Sequence, residues 1–261
     1  MWDILSVKTM KESEKGLIEK GTPSLELMRR AGLVLYHGIR YSGNVAILVG
    51  KGNNGGDGFA LASLLASHEL IPSVYKLSDE ISDDAYFFEN ECRKKKVPIM
   101  PYEPDLGLLD DVDIIVDCLF GTGFTGKPQG IYKEAIEEIN EAEGKVISCD
   151  INSGFNGDYG PSSFAVRSNI TIAINSLKIG LLKGNFKKYV SSIRIGDIGI
   201  PLLHEEDHLL DSDEWNKVKN KNVLTDDALF YFEKEGHRYY RKPVELEIKT
   251  ISYLSHPEKH S

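Results

Sequence analysis

The stretch from residue 45 to residue 58, VAILVGKGNNGGDG, constrains the fold of this chain more than any other. Its first five residues, Val45–Val49, are all apolar, which predicts a strand buried on both faces. The next nine positions hold five glycines, two asparagines and one aspartate, and leucines at helical spacing follow Phe59. A strand, a glycine-rich turn and a helix in this order place backbone N–H groups at a helix N-terminus. The stretch therefore predicts a phosphate-binding turn in an α/β fold.

The glycines of this turn match the pattern G-x-G-x-x-G at Gly50, Gly52 and Gly55. The match is a weak signal by itself, because ordinary tight turns also satisfy it. The asparagine pair at 53–54 and the nearby Asp57 make it more specific, since they add amide and carboxylate oxygens. Glycine is expected here because a Cβ would block close approach and disfavour a positive φ.

Apolar runs and amphipathic stretches alternate through the rest of the chain. Strands are predicted at residues 73–77, 97–100, 114–116, 145–149, 170–174 and 193–195. Helices are predicted at residues 7–20, from 22 to about 39, from 59 onward, at 82–95 and at 129–142. On this interpretation two helices precede the first strand. The alternation predicts an α/β fold with a doubly wound, mostly parallel sheet and helices on both faces.

Two aspartates come directly after predicted strands, each beside a glycine-containing loop. Asp117 precedes the glycines at 121–126, and Asp150 precedes the segment 151–154. Because parallel strands joined by right-handed crossovers end at one edge of the sheet, both should reach the crevice beside the first glycine turn. A carboxylate there can ligate a cation, hold a ribose hydroxyl, transfer protons or cap a turn.

Oxygen-bearing side chains from three loops are candidate cation ligands at this edge. Asn54, Asp117 and Ser153 offer only oxygen atoms, which suits a hard cation rather than zinc. Lys178 lies just past a predicted strand, where it either meets a phosphate or is an ordinary surface lysine. The spacing suggests no Ser-His-Asp arrangement.

The overall composition narrows the range of partners. The chain has 261 residues and a formal net charge of -9, which argues against nucleic acid or an anionic membrane as the main partner. Its three cysteines lack metal-ligand spacing, so we expect them to be reduced in a cytoplasmic protein. No apolar stretch is long enough to predict a membrane span, and the N-terminus does not look like a signal peptide.

Residues 205–261 differ in character and are interpreted as a partly ordered C-terminal appendage of unknown role. Residues 224–234 are expected to form a helix, and residues 244–254 alternate like a strand. The tyrosines and basic residues at 238–242 could contact RNA, although a solvated face is the simpler interpretation.

Four segments carry a resemblance to a known family. GKGNNGGDGFALASLL, VDCLFGTGFTGKPQG, CDINSGFNGDYG and NITIAINSLKIGLL occur in the order found in the NAD(P)H-hydrate epimerase family, also called the YjeF N-terminal domain. The chain resembles this family over about residues 4–201. The resemblance implies a Rossmann-like three-layer αβα domain at 1–204, usually a homodimer, with one potassium ion per subunit. It also implies a repair reaction that interconverts the R and S forms of hydrated NADH and NADPH.

Individual site residues follow from the resemblance. The residues expected to contact the hydrated cofactor are Asn53, Asn54, Gly55, Gly56, Asp57, Gly121, Thr122, Gly123, Phe124, Thr125, Gly126, Lys127 and Asp150. The potassium ligands would be Asn54, Asp117 and Ser153. Asp150 is the candidate acid and base for the hydroxyl at C6 of the nicotinamide ring. One departure is Asn152, where the family commonly has proline, and we expect a local backbone change there rather than lost activity.

Two other classes of function stay open. An NAD-dependent dehydrogenase is compatible with the G-x-G-x-x-G pattern and with Asp79 after the second predicted strand. It would need a substrate domain with a proton-transfer residue, which the tail does not provide. A non-catalytic nucleotide- or RNA-binding scaffold of the same fold is the other class. The intact 53–57 motif and both aspartates favour an enzyme over a scaffold.

Overall fold

The computed structural model of the chain describes residues 1–204, 206–227 and 229–254. Its α-helices are α1 (Val7–Glu19), α2 (Ser24–Gly38), α3 (Asn53–Ser67), α4 (Asp83–Lys94), α5 (Ile131–Glu141) and α6 (Ser212–Lys217). Its strands are β1 (Trp2–Leu5), β2 (Val45–Val49), β3 (Ser73–Lys76), β4 (Ile99–Pro101), β5 (Ile114–Cys118), β6 (Lys145–Cys149), β7 (Phe155–Asn156), β8 (Gly160–Pro161), β9 (Ile170–Ile174), β10 (Leu177–Lys178), β11 (Ser192–Asp197), β12 (Asp207–Leu210), β13 (Leu224–Asp226), β14 (Leu229–Lys234), β15 (His237–Arg241) and β16 (Glu247–Ser252).

Eight strands form the main sheet in the order β16-β11-β9-β6-β5-β2-β3-β4. Every neighbouring pair in it is parallel. The first predicted strand, β2, lies between β5 and β3, and each of its residues is buried. The prediction of a doubly wound, mostly parallel sheet is therefore confirmed.

Helices cover both faces of this sheet. Val45, Ile47 and Val49 belong to an apolar cluster that also contains residues of α2, α3 and α4. Ala46 and Leu48 belong to a second cluster that contains residues of α5. Because successive side chains of a strand point to opposite faces, alternate residues of β2 join two different cores. The predicted three-layer αβα arrangement is confirmed.

The helices α1 to α5 follow the sequence prediction except at the start of α3, whereas α6 was not predicted. This helix begins at Asn53 rather than near Phe59, so the NNGGDG motif forms its first turns instead of a free turn. In α4, the hydroxyl group of Ser82 accepts a hydrogen bond from the Ala85 N–H, which fixes the N-terminus of the helix. Within the described residues, no helix has the length and apolar character required to cross a membrane.

A second sheet contains six strands in the order β10-β1-β12-β15-β14-β13. Its strand β1 pairs in parallel with β10 and antiparallel with β12. The prediction that two helices precede the first strand is wrong, because β1 precedes α1. A run of four residues is too short for its period to identify a strand, and β1 is stabilised by neighbours that are distant in sequence.

Residues 206–254 contribute strands to both sheets. β12 to β15 belong to the second sheet, and β16 pairs in parallel with β11 at one edge of the main sheet. The strand predicted at 244–254 is confirmed as β16, whereas the helix predicted at 224–234 is wrong because β13 and β14 lie there. The division of the chain at residue 204 and the role of the tail stay predictions. Residues 255–261 of the predicted appendage lie outside the described residues.

Candidate active site

A cavity of about 790 Å³ lies where the carboxyl ends of β2, β5, β6 and β9 meet, with α1 and α2 as further walls. The predicted site residues that line it are Asn53, Asn54, Asp57, Gly121, Thr122, Gly123, Phe124, Thr125 and Asp150. Other predicted residues do not line it, and among the described residues these are Gly55, Gly56, Asp117, Gly126, Lys127 and Ser153. The structure thus brings the three predicted loops to one cavity.

Close packing explains the glycines at the start of α3. A Cβ on Gly55 would lie 2.1 Å from the carbonyl oxygen of Gly50, and a Cβ on Gly50 would lie 2.1 Å from that of Leu119. The expectation of a close approach is therefore confirmed, with the protein's own backbone as the neighbour. The expectation of a positive φ is wrong: Gly52 has a φ of −85°, and none of the glycines at 50–58 has a positive value. The loop after β5 is packed directly against the start of α3.

Asp150 follows β6 in a left-handed backbone conformation, with a φ of 63°. Its Oδ2 accepts a hydrogen bond from the Thr122 N–H at 3.2 Å, and its Oδ1 accepts one from the Ile174 N–H at 3.4 Å. The Nζ atom of Lys178 donates to Oδ1 at 2.5 Å. Donors from three separate segments thus fix this carboxylate at the cavity wall.

Lys178 is buried, with only 1% of its side chain exposed. Its ammonium group also donates to the carbonyl oxygen of Ile174 at 2.6 Å. The interpretation of this residue as a surface lysine is therefore wrong. Its backbone lies on β10 opposite Leu5 of β1, and no local sequence pattern indicates that pairing. The ion pair with Asp150 was therefore not predicted from the sequence.

Two more carboxyl groups, those of Glu14 on α1 and Asp57 on α3, face the same cavity. Burial raises the pKa of both groups, and the charge of the nearby Asp150 raises it further, while Lys178 lowers it. Three acidic side chains thus surround one buried ammonium group, an arrangement suited to proton transfer. The sequence analysis did not identify Glu14, because its position within an amphipathic helix carries no sign of a catalytic role.

Asp117 is fully buried beneath the cavity and accepts several hydrogen bonds. Its donors include the Ser153 N–H at 2.9 Å, the Ser153 Oγ at 2.5 Å and the Ser148 Oγ at 2.9 Å. Burial raises the pKa of Asp117, and the hydrogen bonds from Ser153 oppose that increase.

Ser153 binds Asp117 directly, and Phe120 connects Asn54 to Ser153. The Phe120 N–H donates to Ser153 Oγ at 3.0 Å, and the Phe120 carbonyl accepts from Asn54 Nδ2 at 3.0 Å. The buried Oδ1 atom of Asn54 has no hydrogen-bond partner among the described residues. The three predicted ligands and Phe120 therefore form one hydrogen-bonded group of residues.

Aromatic rings form another part of the cavity wall. Phe120 stacks on Phe124, with ring centroids 4.2 Å apart, and on Tyr132 at 4.7 Å. Offset-stacked rings of this kind provide a flat, apolar surface. A planar ligand ring can therefore pack beside the polar cluster around Asp150.

Asn152 stabilises the turn that follows Asp150. Its Nδ2 donates to the Val166 carbonyl at 3.0 Å and to Ser168 Oγ at 3.0 Å, and its Oδ1 accepts from Thr171 Oγ1 at 2.6 Å. A proline side chain could make none of these hydrogen bonds. Asn152 thus gives the loop a set of side-chain hydrogen bonds that the proline expected from the resemblance could not form.

Comparison with known proteins gives the family. Residues 24–180 match the family described as YjeF-related protein N-terminus. The NAD(P)H-hydrate epimerase of Lentilactobacillus buchneri is 34% identical over 209 residues, which are 77% of this chain and 96% of that protein. The bifunctional NAD(P)H-hydrate repair enzyme Nnr of Coxiella burnetii is 32% identical over 201 residues, and the match covers 74% of this chain and 41% of that protein.

A solved structure with the same fold is that of the yeast protein ynu0. It superposes with a TM-score of 0.62 and is 24% identical, and the match covers 68% of this chain and 82% of the yeast chain. The family match spans more than half of the chain, and the Lentilactobacillus relative is matched over nearly its whole length. The chain therefore belongs to the family of YjeF-related protein N-terminal domains.

Proposed function

We propose that this chain is an isomerase that interconverts the R and S hydrates of NADH and NADPH, a repair step for damaged nicotinamide cofactors. The observation that carries the proposal is the Asp150 carboxylate, which Lys178 and two backbone N–H groups hold at the wall of a large cavity. The relatives that are named NAD(P)H-hydrate epimerase support it.

The reaction requires proton transfer at one oxygen atom. In the hydrate, C6 of the nicotinamide ring carries a hydroxyl group next to the ring nitrogen. When an acid protonates that hydroxyl, the C–O bond breaks, water leaves, and the nitrogen lone pair forms a planar iminium ion. Water then adds to C6 and loses a proton to a base. A carboxyl group such as that of Asp150 can be both the acid and its conjugate base.

The rest of the cofactor needs a site for its phosphates. The N-terminus of α3 lies at Asn53, and the dipole of the helix favours an anion at this end. The side chains of Lys11 and Lys51 also line the cavity and can offset phosphate charge. The stacked rings of Phe120 and Phe124 are suited to pack against a base or the nicotinamide ring.

A potassium ion fits the oxygen atoms beneath the cavity, and we include it in the proposal. Asn54 Oδ1 is a buried acceptor without a partner among the described residues, and the Asp117 carboxylate and Ser153 hydroxyl belong to the same hydrogen-bonded group. Oxygen donors of this kind suit a hard cation. When bound there, the ion would supply positive charge that orders the two loops and offsets phosphate charge, while Asn54, Asp117 and Ser153 hold it.

The proposal is tested by incubating the purified R hydrate with the chain and separating R and S hydrates by chromatography. Formation of the S hydrate well above the spontaneous rate supports it, and no acceleration with either NADH or NADPH hydrate refutes it. Reduction of NAD by an added alcohol, followed at 340 nm, would instead indicate a dehydrogenase. We further propose a cytoplasmic homodimer that does not bind nucleic acid, as the resemblance, the buried free cysteines and the negative charge suggest; sedimentation equilibrium tests the dimer.

A further inference from the structure

The proposed epimerisation raises a stereochemical question, because a planar iminium ion has two faces. Water that leaves from one face must return to the other for R to become S. The Asp150 carboxylate is fixed by Thr122, Ile174 and Lys178. A group fixed in this way can serve only the face that is turned toward it. Inversion within one binding event therefore requires a second proton-transfer group, and this inference rests on the proposed function.

Glu14 has the position that such a group needs. It lies on α1, which also contributes Met10 and Lys11 to the lining of the cavity, whereas Asp150 follows β6 of the main sheet. The Glu14 side chain is half-buried. Among the described residues, no hydrogen-bond donor is within bonding distance of its carboxyl group. Its pKa is raised by burial and by Asp150, so the protonated form persists closer to neutral pH.

Asp57 is the other candidate, and its surroundings place it on the same side as Asp150. Its Oδ2 lies 4.0 Å from the Sγ atom of Cys149, the residue immediately before Asp150. Asp57 therefore lies beside the carboxyl end of β6, where Asp150 also lies. Glu14 instead reaches the cavity from α1, which follows β1 of the second sheet.

We propose that Glu14 is a second catalytic residue, which transfers the proton on the face of the nicotinamide ring opposite to the face served by Asp150. In one direction the protonated Glu14 carboxyl group gives its proton to the departing hydroxyl, the C–O bond breaks and water leaves. A new water then adds to C6 from the other face and gives its proton to the Asp150 carboxylate. The return direction exchanges the two roles. One water is lost and one gained, and one proton moves from Glu14 to Asp150, so atoms and charge balance; exchange with solvent returns that proton before the next turnover in the same direction.

The test follows oxygen exchange and inversion separately in ¹⁸O-labelled water. Each pure epimer is incubated with enzyme, and the label in recovered starting epimer is measured beside the amount of the other epimer. The wild-type chain should label both epimers and interconvert them. E14Q should lower the rate of interconversion by roughly 10²-fold or more. It should also abolish oxygen exchange with water in one epimer, while the rate of oxygen exchange in the other epimer stays within about three-fold of wild type. D150N should show the reverse preference between epimers.

The outcomes separate this inference from the proposed function and from a structural role. If the wild-type chain does not interconvert the epimers, the proposed function fails. If it does and E14Q lowers exchange in both epimers equally, or in neither, then Glu14 does not serve one face and the inference is overturned. E12Q is the matched control, because Glu12 is exposed on the same helix and, among the described residues, pairs with Lys8 alone; it should behave as wild type.

Discussion

The Nζ atom of Lys178 lies 2.5 Å from Oδ1 of Asp150, and the two side chains are 1% and 14% exposed. The same ammonium group donates to the carbonyl oxygen of Ile174, so it cannot turn away from the carboxylate without losing a second hydrogen bond. The ion pair therefore sets both the charge and the orientation of Asp150 before any ligand binds.

Asp150→Asn should slow interconversion of the R and S hydrates by roughly 10²–10⁴-fold, because general acid–base catalysis contributes about that much. The amide keeps the size and most hydrogen bonds of the carboxylate, so we expect only a small change in the affinity for NADPH. Chromatography measures the rate of interconversion, and calorimetry measures the Kd for NADPH. A D150N chain that epimerises at the wild-type rate would show that Asp150 only positions the ligand.

Lys178→Met should reduce the free energy of unfolding by as much as about 3–5 kcal/mol, because it leaves the Asp150 carboxylate largely buried without its cation. The double variant K178M/D150N should recover part of that loss, since it leaves no unpaired charge. Urea denaturation of wild type, both single variants and the double variant gives the coupling energy. Additive effects of the two substitutions would contradict a strong ion pair.

Asn54→Leu should remove the stabilisation that potassium confers on the fold. The substitution keeps the side-chain volume but removes the buried Oδ1 acceptor. A cation that binds only the folded state at about 100 times its Kd should add about 2.7 kcal/mol to the free energy of unfolding. Thermal melts in potassium chloride and in choline chloride measure this difference.

The neighbouring substitution Asn53→Leu is the control for that experiment, because Asn53 is exposed. It should keep the full response to potassium. An equal response of wild type and N54L would count against the site, and so would a wild-type chain that melts identically in both salts.

Asp57→Asn should change how stability depends on pH. Burial, and then the charge of Asp150, raise the pKa of Asp57 above its ordinary value of 3.8. The folded chain therefore holds the proton of Asp57 more tightly than the unfolded chain does. The contribution of this proton to the free energy of unfolding is fully present below about pH 3.8 and is lost as the pH rises through the folded-state pKa.

The asparagine at this position in the variant does not titrate. The free energy of unfolding of D57N should therefore improve relative to wild type as the pH rises from about 4 through the folded-state pKa of Asp57. Urea titrations across this range test the prediction, with Asp79→Asn as a fully exposed control. Parallel curves for wild type and D57N would refute it.

Gly55→Ala should destabilise the fold by about 1–3 kcal/mol or more, because its Cβ would lie 2.1 Å from the Gly50 carbonyl oxygen and backbone would have to move. Gly52→Ala is the matched control, since among the described residues no atom beyond its two chain neighbours lies within 4 Å of its Cβ position. Because Gly52 is the N-cap of α3, where alanine is less favourable than glycine, the change should cost about 0.5–1 kcal/mol at most. Chemical denaturation of both variants checks the pair, and similar losses would contradict the steric explanation.

The parts of the fold that could be predicted are those with local signals. Five apolar residues at Val45–Val49 identify a buried strand without any knowledge of its neighbours. Asp150 is conspicuous because it directly follows β6, and Asp117, which was expected to follow a strand, lies within the carboxyl end of β5. Lys178 and Glu14 have no comparable signal. Their positions depend on how β10 pairs with β1 and on how α1 lies over the cavity, and both depend on residues far apart in sequence.

One local sequence signal indicates the hairpin of β14 and β15. Glu235 and Gly236 both have a positive φ and form a two-residue turn, across which Lys234 pairs with His237. A glycine in such a turn between two runs rich in aromatic residues is typical of a β-hairpin. It would have predicted β14 and β15 where the spacing of apolar residues suggested a helix at 224–234.

The order β10-β1-β12 has a consequence for synthesis on the ribosome. Ser6, at the start of α1, has its N–H and Oγ bonded to the carboxylate of Glu206, and Trp2 pairs with Leu209. The strand β10, which carries Lys178, is therefore synthesised before β12, the other strand that pairs with β1. A nascent chain can form most of its main sheet while the second sheet, which contains Lys178, is still incomplete. Chains released before residue 206 should thus lose the geometry of the cavity before they lose the main-sheet core.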